Sequence, residues 1–175
     1  MGLDCTAYSN VAVLPPDPDR EVDWGTTVDV YAYKGFHQST RGLVDHDVVT
    51  STTWGDLIAK RDYDVTGGES FGWHAGSYSG YGRWRDSLAD VAGWEIDRDD
   101  PLASKDQPFF ELVWFADNEG AIGHEAAADL LKDFKAHRDA YVAAHSGDGT
   151  WFVTAYDEWI RALELAAQHG LIHFH

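Results

Sequence analysis

The sequence predicts an α+β fold: one globular domain over residues 1–175, with a mostly antiparallel sheet and two long helices from the C-terminal half packed on it. Strand-like segments stand near both ends of the chain, long amphipathic stretches come late, and no regular strand–helix alternation is present to build a parallel sheet. With 175 residues, 44% hydrophobic and 14% aromatic, the chain can bury one substantial core.

The elements follow in order. Residues 3 to 8, LDCTAY, alternate as a strand does, and 28 to 33, VDVYAY, read as a second strand and a candidate partner for the first. Pro15, Pro16 and Pro18 keep the stretch between them out of regular structure. Residues 36 to 71 read as long loops, with a short helix at WGDLIAK. Trp84, Leu88, Val91 and Ala92 then recur at helical spacing, so a helix is predicted to begin near Gly82 to Trp84 and to stop at Gly93.

The run PFFELVWFA, 108 to 116, has only Glu111 as a charged residue and reads as a central strand buried on both faces. Between about 124 and 144, Ala127, Leu130, Leu131, Phe134, Tyr141 and Val142 form an apolar stripe opposite Asp129, Lys132, Asp133 and Lys135, the pattern of a long helix. A second helix carries Phe152, Tyr156, Trp159, Ile160 and Leu163, with Gly170 placed to cap it, and LIHFH closes the chain as a short strand.

The formal charge is −17, from 30 acidic and 13 basic residues. General affinity for DNA or RNA needs clustered Lys and Arg, and anionic membranes need the same, so neither nucleic acid nor membrane is an expected partner. The acidity reads as a solvated surface, with mimicry of nucleic acid as the sharper alternative. Cys5 is the only cysteine, which excludes an internal disulfide and suits a reducing, cytoplasmic setting. No basic and apolar leader opens the chain, and no segment approaches the ~20 apolar residues of a spanning helix. MGLDCT fits a myristoylation pattern, but Asp4, the absence of nearby basic residues and the strand-like alternation argue against lipidation.

One stretch concentrates unusual chemistry: GWHAGSYSGYGRWRDSL, 72 to 88. Gly76, Gly80 and Gly82 permit tight bends or close approach, and a helix start beside them offers free N–H groups that favour anions. Arg83 and Arg85 supply forked donors for phosphate or carboxylate. Trp73, Tyr78 and Tyr81 supply stacking faces, and His74, Ser77 and Ser79 add polar reach. The glycine spacing matches neither dinucleotide nor P-loop fingerprints. In so acidic a chain, the arginines could instead pair with internal carboxylates.

Asp117 and Glu119, in FADNEGAIGHE, follow the apolar run and could orient a ribose hydroxyl, act as general acid and base, or hold a metal; they are equally ordinary turn formers. His173 and His175 share one face if the C-terminus is a strand, and Asp45, His46 and Asp47 form another cluster, but no third ligand is firm and no metal is expected; the pair reads as solvent-facing imidazoles of a terminal strand. HEAAAD lacks the second histidine of a zinc protease motif, and no nucleophile motif is present. No cofactor is expected.

The opening MGLDCTAYS, the block AGSYSGYGRWR, PFFELVWFADNEGAIG with its following helix, and the ending IHFH together resemble a group of small bacteriophage and prophage proteins without an assigned activity. The resemblance runs through most of the chain. It implies an accessory role inside the host cell and brings no catalytic residue. The leading expectation is a protein that binds a phosphate-bearing or nucleotide-like ligand without turnover, sequestering a host defence signal. The alternatives are a hydrolase or transferase on such a ligand, with Asp117 or Glu119 as base, and an acidic module that blocks a basic host protein. Self-association is left open.

Overall fold

The structure, a computed structural model, describes residues 2–15, 26–30, 61–94, 106–113, 120–148 and 150–175. The expected helix at 54 to 60, the 45 to 47 cluster, and Asp117 and Glu119 lie outside the described residues. The fold is α+β, with a mostly antiparallel sheet and helices packed on it.

The first strand, β1 (Gly2–Tyr8), alternates as its sequence dictates: Leu3, Cys5 and Ala7 are buried, while the residues between them face the other way. It pairs antiparallel with β5 (Ser70–Ser77) on one side and with the C-terminal strand β7 (Leu171–Phe174) on the other. With β6 (Gly120–Gly123) beyond β7, the sheet runs β5-β1-β7-β6, so both chain ends are sewn into its middle. The second expected strand does not pair with the first. β3 (Thr27–Val30) belongs with β2 (Ala12–Val13) and β4 (Arg61–Asp64) in a separate sheet of order β2-β4-β3.

The helices cover one face of the larger sheet. α1 (Tyr78–Ala92) starts directly after β5, several residues earlier than expected, because Ser77 takes an extended conformation and its hydroxyl accepts the Gly80 N–H at 3.1 Å. Gly93, with φ of 78°, ends it as expected. α3 (His124–Ala144) and α4 (Trp151–Ala166) are the two long helices of the C-terminal half, and their apolar stripes bury Leu130, Phe134, Tyr141, Tyr156, Trp159 and Leu163. The Gly170 expectation changes in its cause. His169 carries the left-handed φ of 53°, and Gly170 is needed because a β-carbon there would collide with the Tyr8 carbonyl oxygen on β1.

The expected central strand at 108 to 116 is contradicted where it is described, since Phe110–Val113 form a short helical turn, α2. Phe109 sits at φ 65°, and the Asp133 carboxylate accepts its N–H at 2.9 Å. Asp133 is thus turned inward, and burial pushes its carboxyl up from the ordinary range. The core between helices and sheet is aromatic: Tyr81, Trp84 and Trp159 stack at 5.6–6.1 Å, with Trp73 edge-on to Trp159 at 5.2 Å. Such pairs add about 0.5–1.5 kcal/mol each beyond area burial. On the opposite face, Leu171 and Ala121 pack with Tyr63 and Val65 near the smaller sheet.

Candidate functional site

The stretch singled out in the sequence is the β5–α1 junction, and the fold divides its residues between two sides. Trp73 and Tyr81 face the core, 8% and 0% exposed, and their rings are spent on Phe71, Trp84, Trp159 and Phe174. The alternation Phe71, Trp73, Ala75 places Trp73 inward on β5, and helical periodicity puts Tyr81 on the same stripe as Trp84 and Leu88. Arg85 goes with them. Its guanidinium lies 4.7 Å from the Tyr81 ring centroid and donates to the Val113 carbonyl oxygen at 3.5 Å.

Outward from the same junction stand His74, Ser77, Tyr78, Ser79 and Arg83, all exposed. His74 is held through Nδ1 by the Asp4 carboxylate at 2.9 Å across the β1–β5 pair. The Ser77 and Ser79 hydroxyls lie 3.4 Å apart at the head of α1. Gly76 makes the turn from strand to helix with φ of 103°, and a β-carbon there would also press on the Trp151 ring at 3.2 Å. Sequence reasoning missed Trp151. The first residue of α4, it is 40% exposed beside Tyr78 at 39%, and its ring reaches Gly76 and Gly80.

Three features make the head of α1 positive. First-turn amides of a helix have no intrahelical acceptor, and the Ser77 cap satisfies only that of Gly80. No acidic residue stands in the first turn, as in α4, whereas α2 and α3 begin with Glu111 and Glu125. Arg83 forms no ion pair or hydrogen bond among the described residues. Arg83 lies four residues after Ser79, so the two share one face of α1.

The histidines behave differently from expectation. His173 and His175 do share a face, with ring centroids 5.4 Å apart, but His173 is buried at 6% exposure rather than facing solvent. Burial and, second, the neighbouring His175 push its imidazole down to about 4. Among the described residues no group of three His, Cys, Asp or Glu side chains is arranged to hold a metal. Cys5 is buried, and burial pushes its thiol up, so it is not an activated nucleophile. No helix of the described residues is long and apolar enough to cross a membrane.

Comparison of the chain with protein-family models, with curated proteins and with solved structures gives no match.

Proposed function

We propose that the protein binds a small phosphate-bearing or nucleotide-like ligand at the head of α1 and does not turn it over. The observation that carries this reading is Arg83: in a chain of charge −17, it has no carboxylate partner among the described residues and lies in the first half of a helix whose first turn has no acid of its own. Arg83 takes the phosphate with the first-turn amides and the Ser79 hydroxyl, and the exposed rings of Tyr78 and Trp151 offer a flat face to a base. A two-arginine clamp is not part of the proposal, because Arg85 is engaged with Tyr81 and Val113.

The likeness to small phage proteins supports a role inside a host cell, where such a site would sequester a nucleotide signal; the single buried cysteine suits that reducing interior. Incubation with AMP, ATP and cyclic di-GMP, followed by chromatography of the released small molecules, separates binding from turnover. Intact nucleotide recovered with the protein supports the proposal. Hydrolysed or transferred products would replace it with an enzyme, and no retention of any of the three would remove it.

A further inference from the structure

A groove lies where α3 and α4 turn back on each other. It is open to solvent and offers about 400 Å³, near the lower end of the roughly 300–1,000 Å³ typical of ligand sites. Val142, His145 and Ser146 line one wall. Thr150, Val153 and Thr154 line the other, and Asp157 stands in the same lining.

His145 is fixed with unusual care for a residue at a helix end. Its ring stacks on Phe152, centroids 4.7 Å and planes 9° apart, and packs on Tyr141 at 4.4 Å. Nδ1 meets the Asp148 carboxylate at 2.8 Å, which assigns the ring proton to Nδ1 in the neutral form and leaves Nε2 as an acceptor. That Nε2 is buried and has no partner among the described residues. A buried acceptor left unmet costs about 1–3 kcal/mol, so a donor brought into the groove has something to gain there.

The charges around the groove are already matched. Arg138 grips Asp157 with two bonds of 3.0 Å each, and Asp148 is taken by His145. The C-terminal end of α3 and the start of α4, where Thr150 makes no side-chain cap, adjoin, so their opposite helix dipoles offset one another and neither sign of charge is selected. What remains is the Thr150 and Thr154 hydroxyls, the Ser146 hydroxyl as an acceptor since it donates to the Ala143 carbonyl oxygen at 3.1 Å, one imidazole acceptor and two valine faces. A hydroxyl both donates and accepts, and the carbons between hydroxyls suit valine.

We propose that this groove binds a small uncharged polyol of monosaccharide size, one of whose hydroxyls donates to His145 Nε2. Because Nε2 has no solvent contact in the empty groove, seating that hydroxyl requires a groove side chain to rotate aside. None of its lining residues is among those proposed for the site at α1.

The test is ¹⁵N-detected imidazole NMR of the full chain titrated with D-glucose, D-ribose and myo-inositol, and with inorganic phosphate as the anionic control. The expected result is a saturable shift of the His145 Nε2 resonance with at least one polyol, at the millimolar affinities of a small ligand. Val153→Phe, which adds bulk to the groove lining, and Thr154→Val, which removes one hydroxyl, each weaken it by about tenfold or more. Arg83→Ala leaves it unchanged. No saturable polyol shift, a shift with phosphate alone, or full polyol binding in both groove variants overturns the proposal.

Discussion

The guanidinium of Arg85 lies 4.7 Å from the centroid of the Tyr81 ring, one helical turn back on α1, while Arg83, two residues earlier, makes no ion pair or hydrogen bond among the described residues. Neighbouring arginines therefore do different work: one closes the core, and the other is exposed and carries the proposed ligand site. Arg85→Ala is expected to lower stability by roughly 1–2 kcal/mol through lost stacking and packing. Arg83→Ala is expected to change it by less than about 0.5 kcal/mol. Urea denaturation of the two variants checks both figures.

Glycines in this chain serve unlike ends, and alanine substitution separates them. Gly170→Ala drives a β-carbon into the Tyr8 carbonyl oxygen of the adjacent strand, where neither backbone yields without loss of register, and is expected to cost about 1–3 kcal/mol or more. Gly82 has nothing within 4 Å of a built β-carbon and lies inside α1, so Gly82→Ala is expected to stabilise by about 0.5–1 kcal/mol. Thermal and denaturant melts of the pair give opposite signs.

His173 makes stability depend on pH. Burial holds its folded-state value near 4, below the ordinary 6.5. Between those values the unfolded chain carries a proton that the folded chain lacks, so stability rises with pH across the window. The contribution is complete above pH 6.5 and is lost as pH falls through the window toward 4; its size is of order 3 kcal/mol. His173→Leu is expected to flatten this slope relative to the parent protein in denaturation series taken at several pH values. Equal slopes would show that the imidazole is not protected.

Cys5 lies at 0% exposure on the central strand β1, with its thiol pushed up by burial first and by Asp4 second. Alkylation of the native protein is expected to run at least about a hundredfold slower than in denaturant, through opening of the sheet alone. Rapid native labelling, followed by mass spectrometry, would contradict the placement of β1.

Much of this architecture is legible in the residues. The stripes of α3 and α4 are long enough for periodicity to decide them, and β1 and β7 show themselves by composition at the chain ends. β5 hides because Gly72 and Gly76 mask the inward alternation of Phe71, Trp73 and Ala75, and the same glycines make the stretch look like a loop running into a late helix start. The run at 108 misleads for another reason: a segment apolar all round looks alike as a buried strand or a buried helical turn. The left-handed Phe109, pinned by Asp133 from a distant helix, decides the matter in three dimensions. At the site, exposure of Arg83, Tyr78 and Ser79 follows from helix phase once Ser77 is recognised as the cap. The approach of Trp151 is a tertiary contact with no local signal, and the His145–Asp148 pair is visible only as an i, i+3 spacing.

Calorimetric titration of AMP, ATP and cyclic di-GMP into the parent protein, Arg83→Ala and Arg85→Ala tests the proposed ligand site at α1 most directly. Saturable heat with at least one nucleotide is expected in the parent and in folded Arg85→Ala, with affinity reduced by about tenfold or more in Arg83→Ala. Absence of heat with every nucleotide, or equal affinity in parent and Arg83→Ala, would contradict it.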